Sequence, residues 1–314
     1  MHRIVACIVA CIALVSGSAF GAYPERPVKL IVPWGAGGDT DVIYRALLPF
    51  FQKHLGGTVI IANIGGASGT KGAKEAKDSP PDGYTIFAVH DSIHSTYWTG
   101  VADVDWTDFE PICLVSSTPS ILTASPKAPW KDVKSMIADA KKRPGQITVA
   151  ATLGSTSHFF PALIEKATGI KFKYVPYEGT ADRMNALLGS HVDLGESNLT
   201  QKGKADAGHI RFLAIATEQR APEIPNVPTL KEEGVDVEYA VNRGLLAPKG
   251  TPAPVLAKLR SACGAAVNEA GFAKAMKLQG TNVHYLNAEQ YTDFLKKNDK
   301  LNHDLAQSLG LLKR

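Results

Sequence analysis

Short, apolar, β-branched runs recur along this chain, and amphipathic segments of helical period lie between them. The candidate strands are "VKLIVPW", "TVIIANI", "YTIFAVH", "ICLVSS", "ILTAS", "ITVAAT", "FKYVPY", "VDLGES", "IRFLAIAT" and "RGLLAP". Runs this short, with so few polar interruptions, suit buried parallel strands. Ile43, Ala46, Leu47, Phe50 and Phe51 form one helical stripe, which Pro49 is expected to kink. Val133, Met136, Ile137 and Ala140 form a second. Phe159, Leu163, Ile164 and Ala167 form a third, closed by Gly169, and Ala181, Met184, Leu187 and Leu188 a fourth, closed by Gly189. The prolines of "APKGTPAPVL" open a further helix near Pro252, and the last helix is expected to start near Asn287. Strand and helix in alternation make an α/β chain. Internal repeats and low-complexity segments are missing from the pattern.

The first 22 residues read differently. Arg3 precedes an apolar run to Val15, and small residues follow to Ala22. That run is too short to span a bilayer and has the form of a secretory signal peptide. The mature chain is therefore expected to be exported and soluble, and long enough for two lobes. The full sequence has 34 basic and 30 acidic residues, a net charge of +4, with no basic block, which argues against nucleic acid and membrane surfaces as partners. Beyond the leader two cysteines remain, Cys113 and Cys263. In an oxidising compartment they either pair or stay as buried thiols, and spacing alone does not decide.

The stretch "VPWGAGGDTD" joins the first strand to the first helix. Gly35, Gly37 and Gly38 leave the backbone bare, and Thr40 offers a cap and a hydroxyl. A helix N-terminus reached in this way suits an anion.

Six segments, "YPERPVKLIVPWGAGGDTD", "NIGGASGTKGAKEAKDSPPDGYTI", "ATLGSTSH", "YVPYEGTADRMNALLGSHVDL", "IRFLAIATEQRAPEIPNVPTLKEEG" and "GLLAPKGTP", occur in this order. Through them nearly the whole chain resembles the periplasmic substrate-binding proteins of tripartite tricarboxylate transporters, the Bug family. The resemblance implies a two-lobed α/β fold of the periplasmic-binding-protein, or Venus-flytrap, type II class. It implies a first lobe of residues 23–120 and 243–314, a second lobe of residues 121–242, and hinge crossings near Thr118–Thr123 and Tyr239–Leu246. It further implies a small carboxylate ligand, a membrane permease as partner, a monomer, and no cofactor or metal.

In that frame a ligand carboxylate accepts the N–H groups of Gly37, Gly38, Asp39 and Thr40, with the acidic side chains of Asp39 and Asp41 turned away. Trp34 is either an apolar wall of the site or core. Ser155, Thr156 and Ser157 form the opposite jaw, and His158 is either a second anion contact or a surface residue of the first turn. His90 either meets a second carboxylate or is a satisfied buried histidine, and Ser92 beside it is a candidate donor. Gly179 and Thr180 open another helix toward the cleft. Glu196 and Asn198 follow a strand and face the same space. Arg243 either grips a ligand carboxylate with its planar fork or makes a salt bridge to Glu196 or Glu238.

An enzyme reading finds little support. "GSTSH" brings serine and histidine together, but not in a G-x-S-x-G context, and adjacency in sequence does not give triad geometry. Neither an H-E-x-x-H nor a paired-cysteine motif points to a catalytic metal. A ligand-presenting role toward a membrane sensor kinase is the alternative to transport.

Overall fold

The computed structural model describes residues 23–314, so the expected leader lies outside the described residues. The chain begins with β1 (Val28–Val32), α1 (Asp39–Leu55), β2 (Val59–Asn63), α2 (Thr70–Lys77), β3 (Thr85–His90) and α3 (Ser92–Trp98). A long strand, β4 (Phe109–Pro119), leads directly into β5 (Ile121–Ala124). Next come α4 (Val133–Lys142), β6 (Thr148–Ala151), α5 (Thr156–Thr168), β7 (Lys173–Pro176), α6 (Gly179–Leu188), β8 (Leu194–Ser197), α7 (Lys202–Asp206) and β9 (Arg211–Ile215). Then β10 (Ala240–Pro248) returns, followed by α8 (Ala253–Val267), α9 (Ala270–Leu278), β11 (Asn282–Leu286) and α10 (Ala288–Ser308).

These strands build two sheets, one in the order β11-β4-β10-β3-β1-β2 and the other β7-β6-β8-β5-β9. The expectation of parallel strands holds for β1 with β2 and β3, and for β6 with β7 and β8. It fails for the strands that carry the chain between sheets. β10 runs antiparallel to β3 and β4, and β5 antiparallel to β8 and β9. A chain that leaves the first sheet along β4 and comes back along β10 must traverse the two in opposite directions. The crossings touch: Ser120 N–H donates to Tyr239 O at 3.0 Å, Tyr239 N–H to Ala216 O at 3.0 Å, and Ala216 N–H to Ser120 O at 2.8 Å.

Each sheet is covered on both faces. Alternate residues of β1 divide between two cores: Val28, Leu30 and Val32 face Tyr44, Leu47, Phe51 and Leu259, while Ile31 joins Phe87, Phe109, Tyr291 and Leu295. The second sheet is packed likewise, with Met136, Phe160 and Ile164 in one cluster and Met184 and Leu187 in the other. Full burial of one such side chain contributes about 1.5–3 kcal/mol. α1 runs unbroken across Pro49, held to the sheet by Ile43, Tyr44, Leu47, Phe51 and Leu55. Asn287 caps α10, accepting the Gln290 N–H at 3.0 Å.

Cys113 of β4 and Cys263 of α8 form a disulfide across 150 residues of chain. The cross-link fixes the long strand to its covering helix, and loops of this length restrict the unfolded chain, an effect typically worth about 2–4 kcal/mol. Beside it, β10 passes so close to its neighbours that a side chain on Gly244 has no room. A Cβ there would lie 2.3 Å from Tyr291 Oη and 2.7 Å from the Cys113 carbonyl. Gly244→Ala is therefore expected to cost about 1–3 kcal/mol through overpacking. A lowered urea midpoint with an unchanged slope is the expected reading, and an unchanged midpoint contradicts it.

Candidate functional site

The two sheets face each other across a cleft, and three helix N-termini meet in it. α1 arrives from the first sheet, α5 and α6 from the second. Trp34, Gly38, Asp39, Thr40, His90 and Arg243 line one side of the enclosed space, and Ser155, Thr156, Gly179, Thr180, Arg183 and Glu196 the other. The cleft is nearly shut, with about 20 Å³ accessible to a water between its walls.

The loop after β1 turns at Gly37, whose φ of +77° is open to glycine at little cost. Its N–H is not free for a ligand, because it donates to Asp41 Oδ2 at 2.9 Å. The Gly38 N–H is likewise taken, by Gly35 O at 3.3 Å. The N–H groups of Asp39 and Thr40 have no partner among the described residues. Asp41 points into the first half of the molecule, as expected, and receives Arg45 Nε at 2.8 Å and Asn63 Nδ2 at 2.9 Å. Burial pushes its pKa up, but these bonds outweigh burial and hold the carboxyl below its usual range.

Asp39 does the opposite of what was expected of it. Its carboxylate reaches across the cleft. Oδ2 accepts from Asn198 Nδ2 at 2.6 Å and Thr180 Oγ1 at 3.1 Å, and Oδ1 from Thr200 Oγ1 at 2.8 Å and Gln201 Nε2 at 3.5 Å. Hydroxyl and amide donors stand opposite, so this carboxylate is held toward the cleft instead of turned away from it. Asn198 is thereby bonded to Asp39 instead of lining the cavity.

Arg243 is 3% exposed and sits opposite His90 in the β10–β3 register. Nε donates to Thr40 Oγ1 at 3.2 Å, and one Nη to Thr118 Oγ1 at 2.9 Å and to Val241 O at 3.3 Å. All three partners are neutral. Neither Glu196 nor Glu238 pairs with it; Glu196 binds Arg183, and Glu238 lies near Lys231. The other Nη has no partner among the described residues. Asp91 anchors this strand by accepting the Asn242 N–H at 2.7 Å and Asn242 Nδ2 at 2.9 Å.

His90 stacks on Trp34, with ring centroids 5.0 Å apart and planes 13° from parallel. Its Nδ1 accepts the Ser92 N–H at 3.1 Å, so that nitrogen carries no proton and Nε2–H is the free donor. Burial, then the charges of Arg243 and Arg183, push its pKa well below the ordinary histidine value. The ring is neutral. Ser92 itself lines a separate small cavity beside α3 rather than the cleft.

On the far side, the hydroxyls of Ser155 and Ser157 are spent on the loop. Ser155 Oγ donates to Thr152 O at 2.8 Å, and Ser157 Oγ accepts the Thr152 N–H at 3.0 Å. The N–H groups of Thr156 and Ser157 have no partner among the described residues. His158 turns out of the cleft, where its Nδ1 accepts the Gly154 N–H at 3.2 Å and its ring packs edge-on against Tyr174. Ser157 and His158 therefore do not form a nucleophile–base pair.

Arg183 went unnoticed in the sequence. It is 4% exposed and donates to Thr152 Oγ1 at 3.0 Å, Thr180 Oγ1 at 3.1 Å and Glu196 Oε2 at 2.9 Å, while its Nε is buried without a partner. Its position one turn after Thr180, on the helix whose N-terminus was singled out, was the available signal. Glu196 also accepts Ser120 Oγ at 3.0 Å. Burial raises its pKa, opposed by Arg183 and assisted by the charge of Asp39. Trp34 Nε1 is a second buried donor without a partner. The site can thus offer an anion one uncommitted guanidinium edge, a neutral imidazole N–H, and main-chain N–H groups from both sides.

Comparison with known proteins agrees with this architecture. Residues 43–311 match the family described as "Tripartite tricarboxylate transporter family receptor". The periplasmic binding protein BugD is 33% identical, with a TM-score of 0.88 over 93% of this chain and 100% of that one. A Rhodopseudomonas palustris protein solved with adipate is 28% identical, with a TM-score of 0.87 over 92% and 98% of the two chains. MatC from the same organism, solved with bound malate, is 26% identical, with a TM-score of 0.84 over 90% and 99%. The chain belongs to the TctC family of tripartite tricarboxylate transporter receptors, the periplasmic solute-binding proteins that include the Bug proteins.

Proposed function

We propose that this chain is an exported solute-binding protein that captures a small carboxylate between its two halves and delivers it to a tripartite tricarboxylate transporter permease. The observation that carries the reading is Arg243, a guanidinium buried at the cleft with only neutral partners. A buried cation without a counter-charge in direct contact is costly, and a ligand carboxylate offsets that cost. The relatives solved with malate and adipate support a ligand of that class.

One ligand carboxylate takes the free edge of Arg243, with Thr40 and the neutral Nε2–H of His90 at its sides. The other takes the N-terminus of α5 at Thr156. Helix termini supply oriented donors at no cost of reorganisation, each with about 0.3–1 kcal/mol of dipole stabilisation. The two sheets act as lobes that hinge where β4 meets β5 and where the chain re-enters β10. A ligand bridging both lobes favours the closed state by its differential affinity for it. The chain binds and releases its ligand without changing it, since Ser157 and His158 are turned to structural bonds.

Arg243→Ala is expected to weaken a dicarboxylate by about 2–5 kcal/mol and a monocarboxylate far less. Calorimetric titration with malate, adipate and acetate checks this, and equal losses or none remove Arg243 from the site. The His90 ring gives a second test, by proton. Its pKa is depressed, so the folded chain resists the proton that an unfolded histidine takes up below about pH 6.5. This group therefore opposes folding increasingly as pH falls below that value. NMR of the ring is expected to show the neutral Nε2–H tautomer at pH 6. A titration centred on the ordinary histidine value contradicts the assignment.

A further inference from the structure

The geometry points to Asp39 as a built-in ligand carboxylate: it occupies side-chain donors of the second half, draws the cleft shut, and so selects dicarboxylates over tricarboxylates. The inference rests on the carboxylate reading and goes beyond it in naming what sets the ligand's charge. Asp39 belongs to the first half of the molecule, at the start of α1, yet every side chain bonded to its carboxylate belongs to the second. Asn198 and Thr180 hold one oxygen, and Thr200 and Gln201 the other. The carboxylate is 4% exposed, and Thr180 is tied in turn to Arg183. Thr180 and Asn198 are the groups that sequence reasoning offers to a ligand, and a side chain of the protein has taken them.

Two consequences follow. The protein itself supplies bonds between the halves, so part of what holds the closed form together does not come from the ligand. The donors left over serve two carboxylates, one at Arg243 and one at the α5 N-terminus. A third carboxylate would meet Asp39 and Glu196 at close range, and like charges in a buried site repel strongly.

The test uses the full exported chain and the variants Asp39→Asn and Thr200→Val, which alter the latch from opposite sides at nearly constant volume. Small-angle X-ray scattering without ligand is expected to give a larger radius of gyration for both variants than for the wild type. Titration with malate, adipate and citrate is expected to show the wild type preferring the dicarboxylates by at least tenfold, and Asp39→Asn erasing most of that preference. Both results are required. Unchanged dimensions, or equal changes for all three probes, overturn the latch. If the wild type binds none of the probes, the carboxylate reading falls with it. Binding that is indifferent to Asp39 overturns the latch alone.

Discussion

A guanidinium closed off from water needs an anion, and at Arg243 the protein supplies none in direct contact, Glu196 acting on it only at longer range. Thr40, Thr118 and the Val241 carbonyl satisfy the hydrogen-bond geometry of the group but none of its charge. Arg183, across the cleft, has been given Glu196. The contrast separates two buried arginines, one with an ion-pair partner and one without, and the proposed binding role rests on the second. The rest of the site follows from that asymmetry. An uncompensated guanidinium and a neutral histidine on one wall, with main-chain donors on both, are the features on which the proposed anion site rests.

The surrounding fold fixes that guanidinium in place. Arg243 sits on β10, the returning strand, between a strand of the first sheet on one side and the outgoing strand β4 on the other. Asp91 clamps the residue before it, and the residue after it is a glycine pressed against Tyr291 and Cys113. The disulfide ties the same stretch of β4 to α8. Rigidity is thus concentrated immediately next to the crossings, beside Arg243.

Much of this architecture is legible in the amino-acid order, and what is not legible has physical causes. Ten strand segments were apparent because buried strands are apolar and β-branched. β11 was not among them: "NVHYL" lies at a sheet edge, half-buried, and its polar residues mask the pattern. α2 was missed because its inward face is only Gly72, Ala73 and Ala76, too small to register as a stripe. Helix N-termini at Thr40, Thr156 and Thr180 could be placed from turn chemistry, since a glycine-rich or hydroxyl-rich loop after a strand permits few alternatives. Side-chain direction could not. Asp39 and Asp41 are two residues apart in one turn of helix and face opposite halves of the molecule. Ser157 and His158 look like chemistry in sequence and are spent on loop geometry and packing. Arg183 lay one turn beyond a residue already under suspicion, and only the three-dimensional arrangement reveals that it pairs Glu196.

The central claim is positional, and a crystal structure of the protein grown with a dicarboxylate such as malate tests it most directly. The account requires one ligand carboxylate at hydrogen-bond distance from the free Nη of Arg243 and the other against the Thr156 N–H. A dicarboxylate bound elsewhere, or held in the cleft with Arg243 untouched, would contradict it.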